Sequence, residues 1–261
     1  MPQLWWVLTS VSWVEVPITV YVLEHHDGLV LFDAGMDPAI GTDPKYVSSA
    51  LGRFFLRRLF RFHIGPNDGL TKKLDALGYN ASDVRKVVVS HLHFDHIGCI
   101  SEVPQAELLV SREEWRLLSC PHPEREFILR EHIELPHAKW RQIDFAPADE
   151  QLFAPFGCYF DVMGDRSMML LPTPGHTAGS MSMLARSKGF PPLLFVSDLT
   201  YDVDMLMNDQ VPGNGDPTQL RCSFAKVRAL KEQLPDLVVL PAHDNSAIET
   251  LRAVVPSKPT S

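Results

Sequence analysis

The chain has 261 residues, 45% of them hydrophobic and 21% charged, the balance of a globular protein long enough to bury a sizeable core as one domain over residues 1–261. Its formal net charge of −8 speaks against nonspecific binding to nucleic acid, which needs a Lys and Arg surface. No apolar run reaches the roughly 18 residues of a membrane span, and the four cysteines, Cys99, Cys120, Cys158 and Cys222, form no CxxC pair that would mark a redox or zinc motif.

In chain order, the apolar stretch Leu4–Val14 has no preceding Lys or Arg and is broken by Ser and Thr, so it reads as a strand rather than a signal peptide. Cytoplasm is the expected location, with the cysteines as free buried thiols. Val16–Glu24 and Leu29–Asp33 flank His26-Asp27-Gly28, which predicts a β-hairpin. Ala34-Gly35-Met36-Asp37-Pro38 breaks that pattern. Residues 45–62 read as a helix with Leu51, Phe55, Leu59 and Phe62 on one stripe, and Asn67 reads as the cap of a second helix ending at Gly78. Lys86–Ser90 is a short strand running into His91, and Glu107–Val110 is another. Ser111 followed by Glu114 is a capping-box pattern opening a helix. Residues 120–160, rich in proline and charge, read as irregular with one short helix. Strands over Met168–Leu171, Leu193–Val196 and Leu237–Leu240 end in Pro172-Thr173-Pro174-Gly175-His176, Ser197-Asp198 and Pro241-Ala242-His243. Asp216-Pro217 starts a long helix toward Leu234, with proline in its first turn. The last Pro- and Ser-rich residues are expected to fray.

Several short apolar strands thus deliver a His or Asp just past their ends, which is how α/β folds build sites. His91-Leu92-His93-Phe94-Asp95-His96 places three imidazoles and a carboxylate within six residues. Neutral imidazole and carboxylate suit Zn²⁺ and similar divalent ions. A solvated histidine cluster would look the same locally, but His176, Asp198 and His243, each behind an apolar strand, would then be coincidence. His25, His26, His63, His122, His132 and His137 lack such context and read as structural or solvated, and Cys99 as core packing.

In this order the motifs resemble the metallo-β-lactamase superfamily: His-x-His-x-Asp-His at 91–96, Gly175-His176-Thr177, Asp198 after an apolar strand, and His243 before Asp244. The resemblance runs from the Val16–Asp33 hairpin to His243. It implies an α/β (α+β) fold, an αββα sandwich, and two divalent metal ions, Zn²⁺ foremost with Fe, Mn or Co as other occupants. It assigns His91, His93 and His176 to one ion and Asp95, His96 and His243 to the other, with Asp198 bridging.

Departures from the pattern exclude some relatives. Asp198 stands where many true β-lactamases use Cys or lack a bridging ligand, and His93 where flavin-diiron oxidoreductases place an acid. Only 18 residues follow His243, too few for the helical substrate domain of glyoxalase II. The acidic charge and the lack of an added RNA-binding segment argue against an RNA-processing nuclease. Asp198-Leu199-Thr200-Tyr201 sets a Tyr three residues past the bridging Asp, which resembles the N-acyl-homoserine lactonases. That resemblance implies quorum quenching through ring opening of a small lactone by metal-bound hydroxide. Tyr201 then donates to the oxyanion and Asp95 passes a proton to the leaving alkoxide. The alternatives are a related hydrolase of carboxylic esters, thioesters or phosphoesters, and a non-catalytic binding protein. A substrate panel and metal analysis separate them.

Arg53 to Phe62 is unusually rich in Phe and Leu, with Arg53, Arg57 and Arg61 repeating every four residues. Three readings stay open: a core-packed helix with a basic face, a lid over an apolar acyl pocket, or a subunit contact forming a homodimer. Membrane-surface binding is disfavoured by the net charge.

Overall fold

The computed structural model describes residues 13–255, apart from the side chains of Leu51 and Phe55. The strand expected over Leu4–Val14, except Trp13 and Val14, and the C-terminal residues expected to fray lie outside the described residues, as do the side chains of Leu51 and Phe55 on the 45–62 stripe. Trp13 and Val14 are exposed and not in a strand. The chain divides into two compact units, one formed by Ile18–Ile143, the other by Asp144 onward together with the segment up to Pro17. Among the described residues no helix is long and apolar enough to cross a membrane.

The Ile18–Ile143 unit carries a five-stranded sheet of β1 (Tyr21–His25), β2 (Gly28–Phe32), β3 (Val84–Val88), β4 (Glu107–Ser111) and β5 (Lys139–Ile143), hydrogen-bonded in that order. The hairpin forms, with Tyr21 opposite Phe32 and His25 opposite Gly28, but its first strand starts at Tyr21 rather than Val16; β2 to β5 run parallel. Leu31, Val87, Val89, Leu108 and Val110 join the buried cluster of this unit. Its helices are α1 (Ala39–Thr42), α2 (Ala50–Leu59), α3 (Leu70–Ala76), α4 (Phe94–Ile97), α5 (Arg112–Arg116) and α6 (Arg130–Ile133).

The second unit carries a six-stranded sheet in the order β11-β10-β9-β8-β7-β6: β6 (Ala146–Pro147), β7 (Cys158–Asp161), β8 (Met168–Pro172), β9 (Met181–Ala185), β10 (Leu193–Ser197) and β11 (Val238–Pro241). Only the β10–β11 pair is parallel; the rest are antiparallel. Its helices are α7 (Val203–Met207), α8 (Pro217–Gln233) and α9 (Ala247–Val254). α8 buries Leu220, Phe224, Val227 and Leu230 in this unit's own core beside Leu171, Leu184 and Val196. Asp216 caps α8, its carboxylate accepting from the backbone N–H of Thr218 and Gln219. Those N–H groups hold the Asp216 carboxyl below the ordinary carboxylate range.

Several sequence expectations are corrected. The helix expected over 45–62 starts only at Ala50, where the Ser49 hydroxyl accepts from Gly52 N–H, and stops at Leu59 as Phe60 turns extended. Asn67 caps nothing: α3 begins after Gly69, and its first-turn Thr71 N–H goes to the Glu102 carboxylate at 2.7 Å. The span 120–160 holds the short helix expected there, α6, but instead of being otherwise irregular it also contains β5, β6 and most of β7. β5 reads KWRQI, an edge strand with three exposed polar positions, so tertiary pairing with β4 overrides its weak local signal. All four cysteines are free thiols, but Cys120 and Cys222 are exposed rather than buried. Cys99 is core packing as expected, its thiol pushed far up by burial and donating to Met36 O.

Candidate metal centre

In the first unit the site grows from the end of β2. Phe32 is followed by Asp33, whose backbone turns left-handed (φ 65°), a conformation Asp tolerates better than most residues. That turn aims a fully buried carboxylate at the 90–96 segment. Asp33 accepts from Ser90 N–H at 2.8 Å and Ser90 O–H at 2.9 Å, and lies 2.8 Å from His96 Nδ1. A carboxylate only accepts here, so His96 Nδ1 carries the proton. The Ser90 hydroxyl donates to Asp33 and sits 3.0 Å from His91 Nδ1, so it accepts the His91 Nδ1 proton in turn. One buried Asp thereby fixes two imidazoles. The sequence reading passed over Asp33 as the end of a hairpin. The signal was available, since a carboxylate directly behind Leu29–Phe32 repeats the strand-end pattern of Asp198.

His91, His93, Asp95 and His96 are brought together by the single turn of α4. Leu92 points into the core, so His91 and His93 share the other side, with His91 Nε2 and His93 Nδ1 3.0 Å apart. Asp95 Oδ2 lies 3.7 Å from His96 Nε2. The backbone between the first two histidines is pinned, Leu92 N–H donating at 2.9 Å to Glu114, a fully buried carboxylate on α5. Ser111 caps α5 at Glu114 N–H, as the sequence pattern predicted. Gly98 closes the turn: a Cβ there would lie 2.3 Å from Asp37 N, so only glycine lets 34–37 lie against α4.

In the second unit three strand ends converge. β8 leads into Thr173-Pro174-Gly175-His176, β10 ends at Ser197 in the left-handed region (φ 50°), and β11 leads into Ala242-His243. The ends of β10 and β11 are tied by Ala242 N–H to Ser197 O. Asp198 is buried and turns one oxygen to each of two imidazoles: Oδ2 lies 3.3 Å from His176 Nε2, and Oδ1 lies 3.2 Å from His243 Nε2. His243 Nδ1 donates to Pro17 O at 2.7 Å, which leaves Nε2 as its bare nitrogen. Tyr201 sits 5.7 Å from the His243 ring, centroid to centroid, and its hydroxyl is 2.8 Å from Asn214 Nδ2. Asn214 was absent from the sequence reading; nothing in a Gly-Asn-Gly turn distinguishes it from a loop.

These side chains fit a divalent cation by their own chemistry. His91, His96 and His243 each have Nδ1 engaged by an oxygen, which leaves Nε2 as a σ-donor. Two donors each about 2.0–2.1 Å from one Zn²⁺ ion stand a little over 3 Å from each other. His91–His93, His176–Asp198 and His243–Asp198 are all at that spacing. His132 stacks on Tyr46 and contacts its carbonyl, while the His25 and His26 rings meet at a 40° tilt at the hairpin turn.

The profile of the Metallo-beta-lactamase superfamily matches residues 13–243. The N-acyl homoserine lactonase AttM of Agrobacterium fabrum is 29% identical over 235 residues, covering 89% of this chain and 84% of that protein. The probable metallo-hydrolase Rv2300c of Mycobacterium tuberculosis is 30% identical over 251 residues, covering 89% of this chain and 76% of its own. Among solved structures, an N-acyl homoserine lactone hydrolase with N-hexanoyl-L-homoserine bound at its catalytic metal centre aligns with a TM-score of 0.71 at 23% identity, over 91% of this chain and 85% of that one. With the two sheets, the strand-end histidines and a match spanning nearly all described residues, the chain belongs to the metallo-β-lactamase superfamily of metal-dependent hydrolases.

Proposed function

We propose that the protein is a lactonase that opens N-acyl-homoserine lactones, acting as one domain over residues 1–261 with two divalent ions, Zn²⁺ foremost. His91, His93 and His176 would hold one ion, Asp95, His96 and His243 the other, with Asp198 shared. The two-ion reading is supported by the Asp198 carboxylate, which turns a separate oxygen to each of two histidines. Ions bound there would supply a water acidic enough to ionise at neutral pH and a Lewis acid for the substrate carbonyl. The chain's own residues do the rest. Asp33 and Ser90 hold His91 and His96 in one tautomer. The Tyr201 phenol donates to the oxyanion that forms at the ring carbonyl. Asp95 carries a proton to the alkoxide as the ring opens.

The observation that favours an acyl lactone over other esters is an apolar cavity of about 440 Å³ in the first unit. It is lined by Leu56 and Leu59 of α2, by Phe94 from inside the His91–His96 motif, and by Phe127 and Leu129. Phe127 meets the His93 ring edge-on at 6.3 Å, and Phe60, Phe94 and Phe127 form one aromatic cluster. A fatty acyl chain threaded there lies directly beside a candidate ligand. Of the readings left open for Arg53 to Phe62, this arrangement supports the one that places it over an apolar acyl pocket. Relatives named N-acyl homoserine lactonase support the same substrate. Four free thiols agree with a cytoplasmic location, where they persist.

A substrate panel tests the reading: short- and long-chain acyl lactones beside a carboxylic ester, a thioester, a phosphoester and a β-lactam. Lactones should be turned over fastest, with kcat/KM rising along the acyl chain. Phe127→Ala should flatten that rise, since each methylene contact is worth about 0.8 kcal/mol. Faster turnover of any other class, or a chain-length preference untouched by Phe127→Ala, would contradict it.

A further inference from the structure

His91, His96 and His243 set Nδ1 against an oxygen: Ser90 Oγ at 3.0 Å, Asp33 Oδ2 at 2.8 Å and Pro17 O at 2.7 Å. His176 differs. Its Nδ1 lies 3.2 Å from a nitrogen, Asn214 Nδ2, while its Nε2 faces Asp198. The same Nδ2 lies 2.8 Å from the Tyr201 hydroxyl. The other arm of that amide, Asn214 Oδ1, is buried with no hydrogen-bond partner. Half-turn rotation of a carboxamide exchanges its two arms without changing its shape, so the orientation is assigned by the groups it faces.

Which arm faces His176 is decided by the imidazole. With the amide nitrogen toward it, Nδ1 must be bare and the ring proton sits on Nε2, where it blocks a ligand atom. With the amide oxygen toward it, Nδ1 keeps the proton and Nε2 is a donor to a cation, as in the other three rings. The oxygen arm also accepts the Tyr201 O–H.

We infer that Asn214 is a positioning residue that acts on His176 and Tyr201 together. Its carbonyl oxygen holds His176 in the Nδ1–H tautomer and parks the Tyr201 proton until a substrate oxyanion, the stronger acceptor, takes it. The backbone puts Asn214 there independently of its side chain. Asp216 N–H donates to Gly175 O at 2.7 Å, and a Cβ on Gly215 would lie 2.3 Å from that same oxygen and 2.9 Å from His176 Cα. The 213–216 turn is therefore strapped to the Gly175-His176 backbone, and a substitution at 214 changes the amide without moving the loop.

This inference rests on the metal reading above, and its test separates the two. The full chain is loaded with zinc, and the zinc dissociation constant is measured by chelator competition for wild type, Asn214→Leu and Asn214→Asp. A carboxylate only accepts, so Asn214→Asp should bind within a few-fold of wild type. Asn214→Leu has no acceptor and should bind about 10- to 100-fold more weakly, the range for losing an outer partner of a ligand histidine. Nitrogen-15 spectra of the zinc-free wild type should show the proton of neutral His176 on Nδ1, before an ion at Nε2 dictates it. If Asn214→Asp binds as poorly as Asn214→Leu, the amide acts as a donor and the inference fails. It also fails if Asn214→Leu binds like wild type. Should Asn214→Leu not fold, a ring proton on Nε2 of neutral His176 in zinc-free wild type overturns the inference by itself. A wild type that retains no zinc overturns the metal reading along with it.

Discussion

The Ile18–Ile143 unit draws four candidate ligands from one six-residue stretch, whereas the second unit draws His176, Asp198 and His243 from the ends of three strands. The contiguous set needs only one turn of helix and two buried carboxylates behind it, Asp33 and Glu114. The dispersed set needs three strand registers, a left-handed Ser197 and two glycine contacts at Gly175 and Gly215 to bring three side chains together. Local geometry makes the first arrangement tolerant of error elsewhere. The second depends on a whole sheet, and behind its histidines stand the Asn214 amide and the Pro17 carbonyl rather than a carboxylate.

Removing the Tyr201 hydroxyl probes the dispersed side hardest. Tyr201→Phe should lower kcat by about 100- to 1,000-fold, the cost of one oxyanion donor, with metal content unchanged. Wild-type turnover would assign Tyr201 to packing against His243.

On the contiguous side, Asp33→Ala strips both His91 and His96 of their anchor. Metal affinity should fall by about 10- to 100-fold, read by chelator competition. Ser90→Ala, which breaks only the His91 arm, should cost less. Equal losses from the two would mean that Asp33 does not act through His96.

The smallest effect is expected at the base of the dispersed side. Asp216→Ala removes the α8 cap and should lower Tm by a few degrees at neutral pH. The Asp216 carboxyl is held below its ordinary value by Gln219 and Thr218 N–H, so its stabilisation is present above the unfolded-state pKa and is lost as pH falls through the folded one. The gap between wild type and variant should therefore close in acid. A gap that persists there would point to packing rather than charge.

What was readable in the sequence follows the same division. His91–His96 stood out directly, because the candidate ligands sit in one local turn. His176, Asp198 and His243 were readable through the apolar strands before them, and α8 through its Asp-Pro start. Asp33 was missed because a hairpin explained it sufficiently, and Asn214 because its role exists only once His176 and Tyr201 are folded around it. β5, an edge strand with exposed polar positions, and β7, a short strand of mixed burial, were missed because such strands form by pairing, not by propensity. Asn67 was a reasonable cap by type, but a carboxylate 31 residues away in sequence took the first-turn N–H instead.

The central claim is the proposal that the candidate ligands hold two ions that the reaction needs. Elemental analysis of purified, unstripped protein, with lactone turnover measured on the same sample, tests it most directly. Two divalent ions per chain are predicted, with Asp198→Ala losing metal and turnover together. Fully active protein carrying less than one ion per chain would contradict the account.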